Sequence, residues 1–254
     1  MTAAAIRVIL VDPLLFTAPY DAALTQGLLT AGVEPLWVTG PARWSDQNEI
    51  PRQLLAELFH RPVDNVRRPR LLKAALGAMA HATGLMRLVR YARALRPDIV
   101  HFQWLIVPVL DWVAIWFIRR RCPVVITVHD TVPVRTYGRL LSALQAWGLN
   151  AAIGSANRVI VHTVGARQTL IGKGIAAERI VEIAHGPLRL NIAAADIPAG
   201  DGRWTLVLFG ELKPYKGLEV LVDAVAKIPA ALVQQAHVII AGRPCMDLRA
   251  IEAR

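Results

Sequence analysis

The feature that most constrains the fold is a regular alternation between short apolar runs and longer segments of helical periodicity. Eight apolar runs predict buried strands, at residues 6–11, 36–39, 99–102, 124–129, 159–162, 181–184, 205–209 and 238–241. Patterns with helical spacing lie between most of them, at residues 22–31, 71–95, 112–120, 140–151, 166–171 and 218–226. Because strands that alternate with helices build parallel sheets with helices on both faces, the predicted fold class is α/β.

One segment interrupts this alternation and predicts a domain boundary. Residues 191–203, NIAAADIPAGDGR, are rich in Ala, Pro, Gly and Asp and show no strong apolar period. Such a composition is typical of a linker. We therefore expect a first domain at residues 1–190 and an incomplete second domain at residues 204–254, in which two of the predicted strands fall.

The chain is strongly basic, with a formal net charge of +10. Part of this excess lies at residues 67–96, which hold eight Lys or Arg residues and no Asp or Glu. Apolar residues recur there at helical spacing, so the segment predicts a basic amphipathic helix. Its basic face could be an ordinary solvated surface or could rest on anionic lipid. We expect no nucleic-acid partner, because no zinc-finger, helix-turn-helix or RNA-stacking motif accompanies the charge.

Three features bear on cellular location. Cys122 and Cys245, the two cysteines, lack metal-ligand spacing, which is typical of reduced, cytosolic proteins. The N-terminal residues MTAAAIRVILVD lack the pattern of a signal peptide. The apolar run at residues 105–118 is shorter than the ~20 residues that a membrane-spanning helix needs, and it predicts a buried helix between two strands. We expect a cytoplasmic protein whose membrane contact, if any, is peripheral and on the inner face.

Three histidines follow predicted strands, at the end where parallel sheets bind ligands. His129 ends the run VVITVH, His162 ends RVIVH, and His185 follows VEIA, whereas His101 lies inside the run DIVHFQW. A lone strand-end histidine is most often a hydrogen-bonded structural residue. Three that converge on one crevice are equally consistent with a functional site, and both interpretations stay open from the residues alone.

The loop FGELKPYKGL, residues 209–218, combines glycines with two lysines. Gly210 ends a predicted strand and Gly217 starts a predicted helix, so Lys213 and Lys216 lie close to a helix N-terminus. Backbone N–H groups at such an end, with ammonium groups nearby, form an anion site suited to phosphate. The loop is neither a P-loop nor a GxGxxG fingerprint, and a solvated loop remains the alternative.

Five segments, in order, resemble family 4 retaining glycosyltransferases of GT-B fold, in particular bacterial members of the exopolysaccharide and lipid-linked saccharide type. They are DIVHFQW, VVITVHDTVP, ANRVIVHTVGARQTLI, RIVEIAHGPL and FGELKPYKGLEVLVDAV. The resemblance implies two Rossmann-like domains, of which the first binds the acceptor and the second a nucleotide-sugar, linked to UDP or GDP. It also implies transfer to a saccharide or lipid-linked acceptor with retention of configuration, with neither cofactor nor metal.

The same resemblance implies roles for individual residues. His129 would lie near the reacting centre and is the catalytic candidate. Four further residues are candidates for the cleft between the domains: Asp130, His162, His185 and Gly186. Another four would hold the diphosphate of the donor: Gly210, Lys213, Lys216 and Gly217.

The sequence departs from the family pattern at three points. Glu211 stands where many members have an arginine, so we expect Glu211 to turn away from the diphosphate and Lys213 to act as the second cation. Val134 stands where many relatives have a histidine. A complete second domain needs roughly another hundred residues, so we expect a C-terminally truncated chain that transfers no sugar alone.

Two other functions stay open at this point. The chain could be a non-catalytic remnant or an interaction subunit that keeps the fold without turnover. It could also be a nucleotide-sugar epimerase, which uses the same two-domain architecture.

Overall fold

The computed structural model describes residues 5–41, 49–60, 69–131, 139–186 and 202–252. The chain divides into two compact units, Met1–Asn191 (unit 1) and Ile192–Arg254 (unit 2). Val134 and residues 191–201 of the predicted linker lie outside the described residues.

Unit 1 is built on a seven-stranded sheet whose strands are all parallel. The strands are β1 Arg7–Asp12, β2 Glu34–Thr39, β3 Leu55–Glu57, β4 Ile99–Phe102, β5 Val124–Val128, β6 Arg158–Val161 and β7 Ile180–Glu182. The helices are α1 Ala18–Thr30, α2 Arg70–Leu95, α3 Pro108–Ile118, α4 Arg139–Ser155 and α5 Val164–Gly172. Short 3₁₀ turns lie at Arg52–Leu54 and Ala177–Arg179.

The strand order is β3-β2-β1-β4-β5-β6-β7, so the direction of travel across the sheet reverses between β1 and β4. Open parallel sheets bind ligands beyond the carboxyl ends of the strands, at such a reversal. The predicted α/β class is confirmed, and all six strands predicted for this part of the chain are present. The sequence prediction missed β3, because three residues at a sheet edge, LAE, do not form a continuous apolar run.

The core of unit 1 lies on both faces of the sheet. Along β1, Val8 and Leu10 pack on the side of α1, while Ile9 and Val11 pack in the larger cluster on the opposite side. This alternation follows from the two-residue period of a strand, and it explains why residues 8–11 are all apolar. Trp37 of β2 is fully buried, and its indole Nε1 donates a hydrogen bond of 2.8 Å to Thr25 Oγ1.

The helix predicted from the apolar run at residues 105–118 is α3, which lies between β4 and β5. It begins at Pro108, earlier than predicted, because proline suits the first helical turn. Asp111 caps this turn by accepting a 2.8 Å hydrogen bond from the Val107 N–H. The other oxygen of Asp111 lies 2.6 Å from His81 Nε2 of α2, and both side chains are buried. Among the described residues, no helix combines the length and hydropathy needed to cross a membrane.

Unit 2 contains one parallel β–α–β crossover. Strands β8 Trp204–Phe209 and β9 Ala236–Ala241 pair along their whole length. Helix α6 Leu218–Ala226 connects them, followed by the short helix α7 Ala230–Val233, and α8 Arg249–Glu252 comes after β9. A 3₁₀ turn, Pro214–Lys216, precedes α6.

The His81–Asp111 pair generates a stability prediction. We expect Asp111→Ala to lower the free energy of unfolding by about 3–5 kcal/mol, because it leaves buried His81 without its acceptor and removes the α3 cap. Urea-induced unfolding followed by circular dichroism measures this loss. Glu182→Ala, which removes an exposed carboxylate from β7, is the control and should change little. Equal unfolding midpoints for the two variants would contradict the assigned role of Asp111.

Candidate functional site

The carboxyl edge of the unit 1 sheet gathers polar and aromatic side chains from five strands. Asp12 ends β1, Gln103 and Trp104 follow β4, and His129 follows β5. His162 follows β6, and His185 comes three residues after β7. Because all strands are parallel, these residues emerge at the same edge.

The structure brings together the three histidines that follow strands. The ring centroids of His129 and His162 lie 5.0 Å apart, and those of His162 and His185 lie 5.2 Å apart. Tyr20 of α1 contacts all three, with centroid distances of 5.1, 5.5 and 5.0 Å to His129, His162 and His185. Trp104 stacks on His129 at 4.8 Å and 14°. We call these five residues the histidine cluster.

Burial keeps His129 neutral at physiological pH. Desolvation, followed by the charges of His162 and His185, lowers the pKa of His129 from 6.5 to about 4. Its Nε2 is buried, with no hydrogen-bond partner among the described residues. A neutral imidazole with one unpaired nitrogen can donate a hydrogen bond to a ligand hydroxyl or accept one from it, depending on its tautomer.

His162 is held in a defined orientation. Its Nδ1 lies 2.9 Å from the Ile183 carbonyl oxygen, which can only accept a hydrogen bond. In the tautomer that donates from Nδ1, the other nitrogen, Nε2, is an acceptor. That Nε2 is also buried, with no partner among the described residues. Two buried imidazole nitrogens of the cluster, His129 Nε2 and His162 Nε2, are therefore available to a ligand.

The remaining cleft candidates lie at the rim of the cluster. His185 is exposed, and its Nδ1 lies 3.1 Å from the Gly186 carbonyl oxygen. Gly186 and Asp130 are exposed as well. His101, in contrast, lies below the cluster inside β4, where its Nε2 is 2.8 Å from Thr127 Oγ1. Burial lowers the pKa of His101 to about 3, so it is a neutral structural residue.

A chain of hydrogen bonds supports the cluster from the side of α1. Trp104 Nε1 donates to Thr17 Oγ1 at 3.2 Å, and Thr17 Oγ1 lies 3.5 Å from Asp21 Oδ1. The sequence analysis missed Trp104 and Tyr20. Trp104 follows β4, so its position after a strand, the signal that identified the histidines, could have identified it as well. Tyr20 lies within α1, and only the folded structure shows that it contacts the histidines.

Asp12 and Asp21 anchor this support and are both fully buried. Asp12 accepts hydrogen bonds from the backbone N–H groups of Leu14 (3.1 Å) and Phe16 (2.8 Å). Burial, the nearby charge of Asp12 and a hydrogen bond to Asp12 raise the pKa of Asp21 well above its usual value. Burial raises the pKa of Asp12 as well, and the two backbone hydrogen bonds that Asp12 accepts hold the turn between β1 and α1 in place.

Among the described residues, no group of three or more His, Cys, Asp or Glu side chains is arranged to hold a metal ion. The histidine cluster is thus described by its ring contacts and its unpaired nitrogens rather than as a metal centre.

The loop between β8 and α6 is the second candidate site, in unit 2. Gly210 and Gly217 have positive φ angles of 117° and 73°, and Gly217 is the N-cap residue of α6. Lys216 precedes this cap, and its Nζ lies 5.5 Å from the centroid of the Tyr215 ring. Lys216 therefore directly precedes the N-cap of α6, and its contact with an anion there stays a prediction.

Glu211 in this loop is paired with two cations. Lys213 Nζ lies 2.7 Å from Glu211 Oε2, and Arg243 Nη2 donates to Glu211 Oε1 at 2.6 Å. Hydrogen bonds from Lys213 and Arg243 lower the pKa of Glu211, and the same bond to Glu211 raises the pKa of Lys213. The sequence analysis did not foresee this Lys213–Glu211 pair, nor Arg243, which follows β9. The expected orientation of Glu211, away from the diphosphate of the donor, stays a prediction.

Comparison with known proteins identifies similarity in sequence and in fold. Residues 22–186 match glycosyltransferase family 4, which is more than half of the chain. No curated protein matches in sequence. The structure of Anabaena HepE in complex with UDP-glucose has a TM-score of 0.60 and 18% identity, over 98% of this chain and 63% of that one.

Two other solved structures are similar in fold. The lipopolysaccharide outer core galactosyltransferase WaaB, in its apo form, has a TM-score of 0.56 and 12% identity over 98% of this chain and 71% of its own. UDP-N-acetylglucosamine 2-epimerase from Rickettsia bellii has a TM-score of 0.55 and 12% identity, over 99% of this chain and 64% of its own. At such identities the likeness concerns the fold, which is that of GT-B proteins. The chain spans less than two thirds of the length of HepE.

The neutral state of His129 generates a pH prediction. The pKa of His129 is lower in the folded protein than the usual 6.5. Between about pH 6.5 and about pH 4, the imidazole of His129 therefore binds a proton in the unfolded chain but not in the folded protein. Stability is therefore complete above that window and is lost as the pH falls through it. We expect the thermal midpoint of unit 1 to drop between about pH 7.5 and about pH 5, and His129→Asn to flatten this slope.

The matched control is His60→Asn, which removes an exposed histidine outside the cluster. This variant should keep the slope of the wild-type protein. The same pH dependence in the wild type and in His129→Asn would show that His129 titrates normally, contrary to the effect of its burial.

Proposed function

The chain belongs to glycosyltransferase family 4, and from this premise we propose that it serves the transfer of a sugar from a nucleotide-sugar to a saccharide or lipid-linked acceptor. The observation that carries the proposal is that the family match, residues 22–186, covers four of the five residues of the histidine cluster, all but Tyr20. We assign residues 1–190 to the acceptor side, 191–203 to a linker and 204–254 to the donor side. Exopolysaccharide or lipid-linked glycan synthesis is the proposed pathway class.

His129 is the proposed catalytic residue on the acceptor side. Its neutral imidazole and unpaired Nε2 suit a hydrogen bond to the hydroxyl group that receives the sugar. Tyr20 meets the ring edge-on and Trp104 stacks on its face, and these contacts orient the imidazole for the acceptor. His162, His185, Asp130 and Gly186 complete the proposed acceptor surface.

The loop between Gly210 and Gly217 is the proposed binding site for the diphosphate of a UDP- or GDP-linked donor. Backbone N–H groups at the start of α6 and the Lys216 ammonium group supply positive potential. Lys213 contributes to it while also neutralising Glu211. In the proposed retaining mechanism these cations stabilise the charge that develops on the leaving diphosphate, without a cofactor and without a metal ion.

A nucleotide-sugar epimerase is the second candidate function, because an epimerase structure matches almost the whole chain in fold. A non-catalytic subunit with this fold is the third. The proposed location is the cytoplasm, with residues 67–96 as a peripheral contact to anionic lipid on the inner face of the membrane.

The transfer proposal is tested in extracts of the source cells that carry the wild-type gene, a deletion or His129→Ala. Radiolabelled UDP- and GDP-sugars serve as donors, and the membrane fraction supplies acceptors. We expect label in the lipid or saccharide fraction of the wild type, none above background in the deletion, and at least a tenfold loss in His129→Ala, equivalent to about 1.4 kcal/mol.

The control variant is His237→Ala, which removes an exposed histidine within β9 and should retain full transfer. Interconversion of free nucleotide-sugars, dependent on the gene but not on an acceptor, would replace the proposal by the epimerase function. Equal incorporation in wild type and deletion, with no interconversion, would instead favour the non-catalytic subunit.

The diphosphate site is tested by calorimetric titration of the chain with UDP and GDP. Lys216→Ala should weaken binding by roughly one to two orders of magnitude, since a hydrogen bond to a charged group contributes about 1.5–3 kcal/mol. Lys227→Ala, at the C-terminal end of the same helix, is the matched control and should bind as the wild type does. Glu211→Gln should tighten binding severalfold, because it releases Lys213 from its ion pair. Unchanged affinities in Lys216→Ala and Glu211→Gln would contradict this site.

A further inference from the structure

Three adjacent helices of unit 1 are apolar on the side that faces away from the core. Helix α3 packs against both α2 and α4. On α3 the exposed residues include Val113, Trp116 and Phe117, which are 42–44% exposed. On α4 the exposed stripe holds Leu140 at 87%, Leu144 at 48% and Trp147 at 52%. We call these six residues the aromatic face.

The aromatic face lies outside the packed interior. Ile115 and Ile118 of α3 and Ile153 of α4 already fill the core on the other side of the helices. A surface helix normally shows polar residues opposite its apolar stripe. Large contiguous apolar patches on a protein surface mark sites of interaction with a membrane or with another protein. Met79 and Met86 extend the apolar surface onto α2, where they are 64% and 53% exposed.

The aromatic rings of this surface are arranged in contact with each other and with an arginine. Trp147 meets Trp112 edge-on at 5.3 Å, and Trp116 meets Phe117 edge-on at 4.8 Å. The guanidinium carbon of Arg120 lies 3.1 Å from the centroid of a Trp116 ring. An indole stacked under a guanidinium group offers an apolar edge beside a fixed positive charge.

The charges around this surface have a single sign. The sequences of α2, α3 and α4 contain one acidic residue, Asp111, and it is fully buried. Cations are exposed at the C-terminal ends of α2 and α3: Arg90, Arg93, Arg119 and Arg120. Two copies of this surface would bring like charges together, which disfavours a self-associated dimer. The complementary partner is apolar and anionic.

We propose that the aromatic face docks onto an anionic lipid bilayer, with Trp116, Phe117 and Trp147 inserted at the level of the headgroups and Arg120 paired with lipid phosphate. Tryptophan favours this level of a bilayer because its ring is apolar and its N–H is polar. The arginines of α2 add electrostatic attraction. This proposal deepens the membrane contact proposed above by assigning the inserted residues to α3 and α4.

The test is co-sedimentation of the chain with vesicles of phosphatidylcholine, with and without phosphatidylglycerol, at low and high salt. We expect binding that requires phosphatidylglycerol and that persists in part at high salt, because salt screens the arginines but not the inserted rings. Trp116→Gln combined with Phe117→Gln should weaken partitioning at least tenfold. Leu29→Gln, on the exposed side of α1 and 43% exposed in the wild type, is the matched control.

Circular dichroism establishes that the double variant is folded, and a blue shift of tryptophan fluorescence on adding vesicles to the wild type gives a second readout of insertion. Equal vesicle binding by the double variant and the control would overturn the proposal. So would sedimentation of the wild type as a concentration-dependent dimer that the double variant abolishes, because a second copy would then be the occupant. Vesicle binding needs neither donor nor acceptor, so its failure is separable from a failure of sugar transfer.

Discussion

All strands of the unit 1 sheet run in one direction, and the position of the candidate site depends on this constraint. A residue that follows a parallel strand emerges at the carboxyl edge, so positions far apart in sequence, such as Asp12, Trp104, His129 and His162, meet there. The reversal between β1 and β4 separates the loops on its two sides and opens room for a ligand.

Burial then sets the chemistry of that edge. Desolvation favours the neutral form of an ionisable group, so it lowers the pKa of His129 and His101 and raises the pKa of Asp21. Asp12 accepts hydrogen bonds from two backbone N–H groups of the following turn, and Asp21 Oδ1 lies 3.5 Å from Thr17 Oγ1. Through Thr17 and Trp104 this arrangement reaches the ring of His129. In unit 2 the candidate loop is exposed, and its charged groups stay ionised in direct pairs. Glu211 forms such pairs with Lys213 and Arg243.

Much of the fold could be predicted from the sequence, because a strand buried on both faces must be apolar throughout. The runs that became β1, β4 and β5 come close to this condition, with His101 in β4 and Thr127 in β5 as buried polar exceptions, whereas β3 lies at an edge and shows no such pattern. The convergence of the three histidines followed from strand polarity alone. Tyr20 could not be found in this way, because its position depends on how α1 packs beside β1. The ion pair between Glu211 and Arg243 joins residues thirty-two positions apart in the chain, so local sequence does not reveal it.

The central claim is that a neutral His129, held in the histidine cluster, meets the acceptor. The most direct measurement is NMR of the chain with ¹⁵N-labelled histidine, titrated with acid and then with a panel of octyl glycosides below their micelle concentrations. The account predicts a His129 pKa near 4 and a change in its Nε2 resonance on addition of a glycoside, with the resonances of exposed His237 unchanged. A His129 that titrates near 6.5 and responds to no glycoside would contradict it.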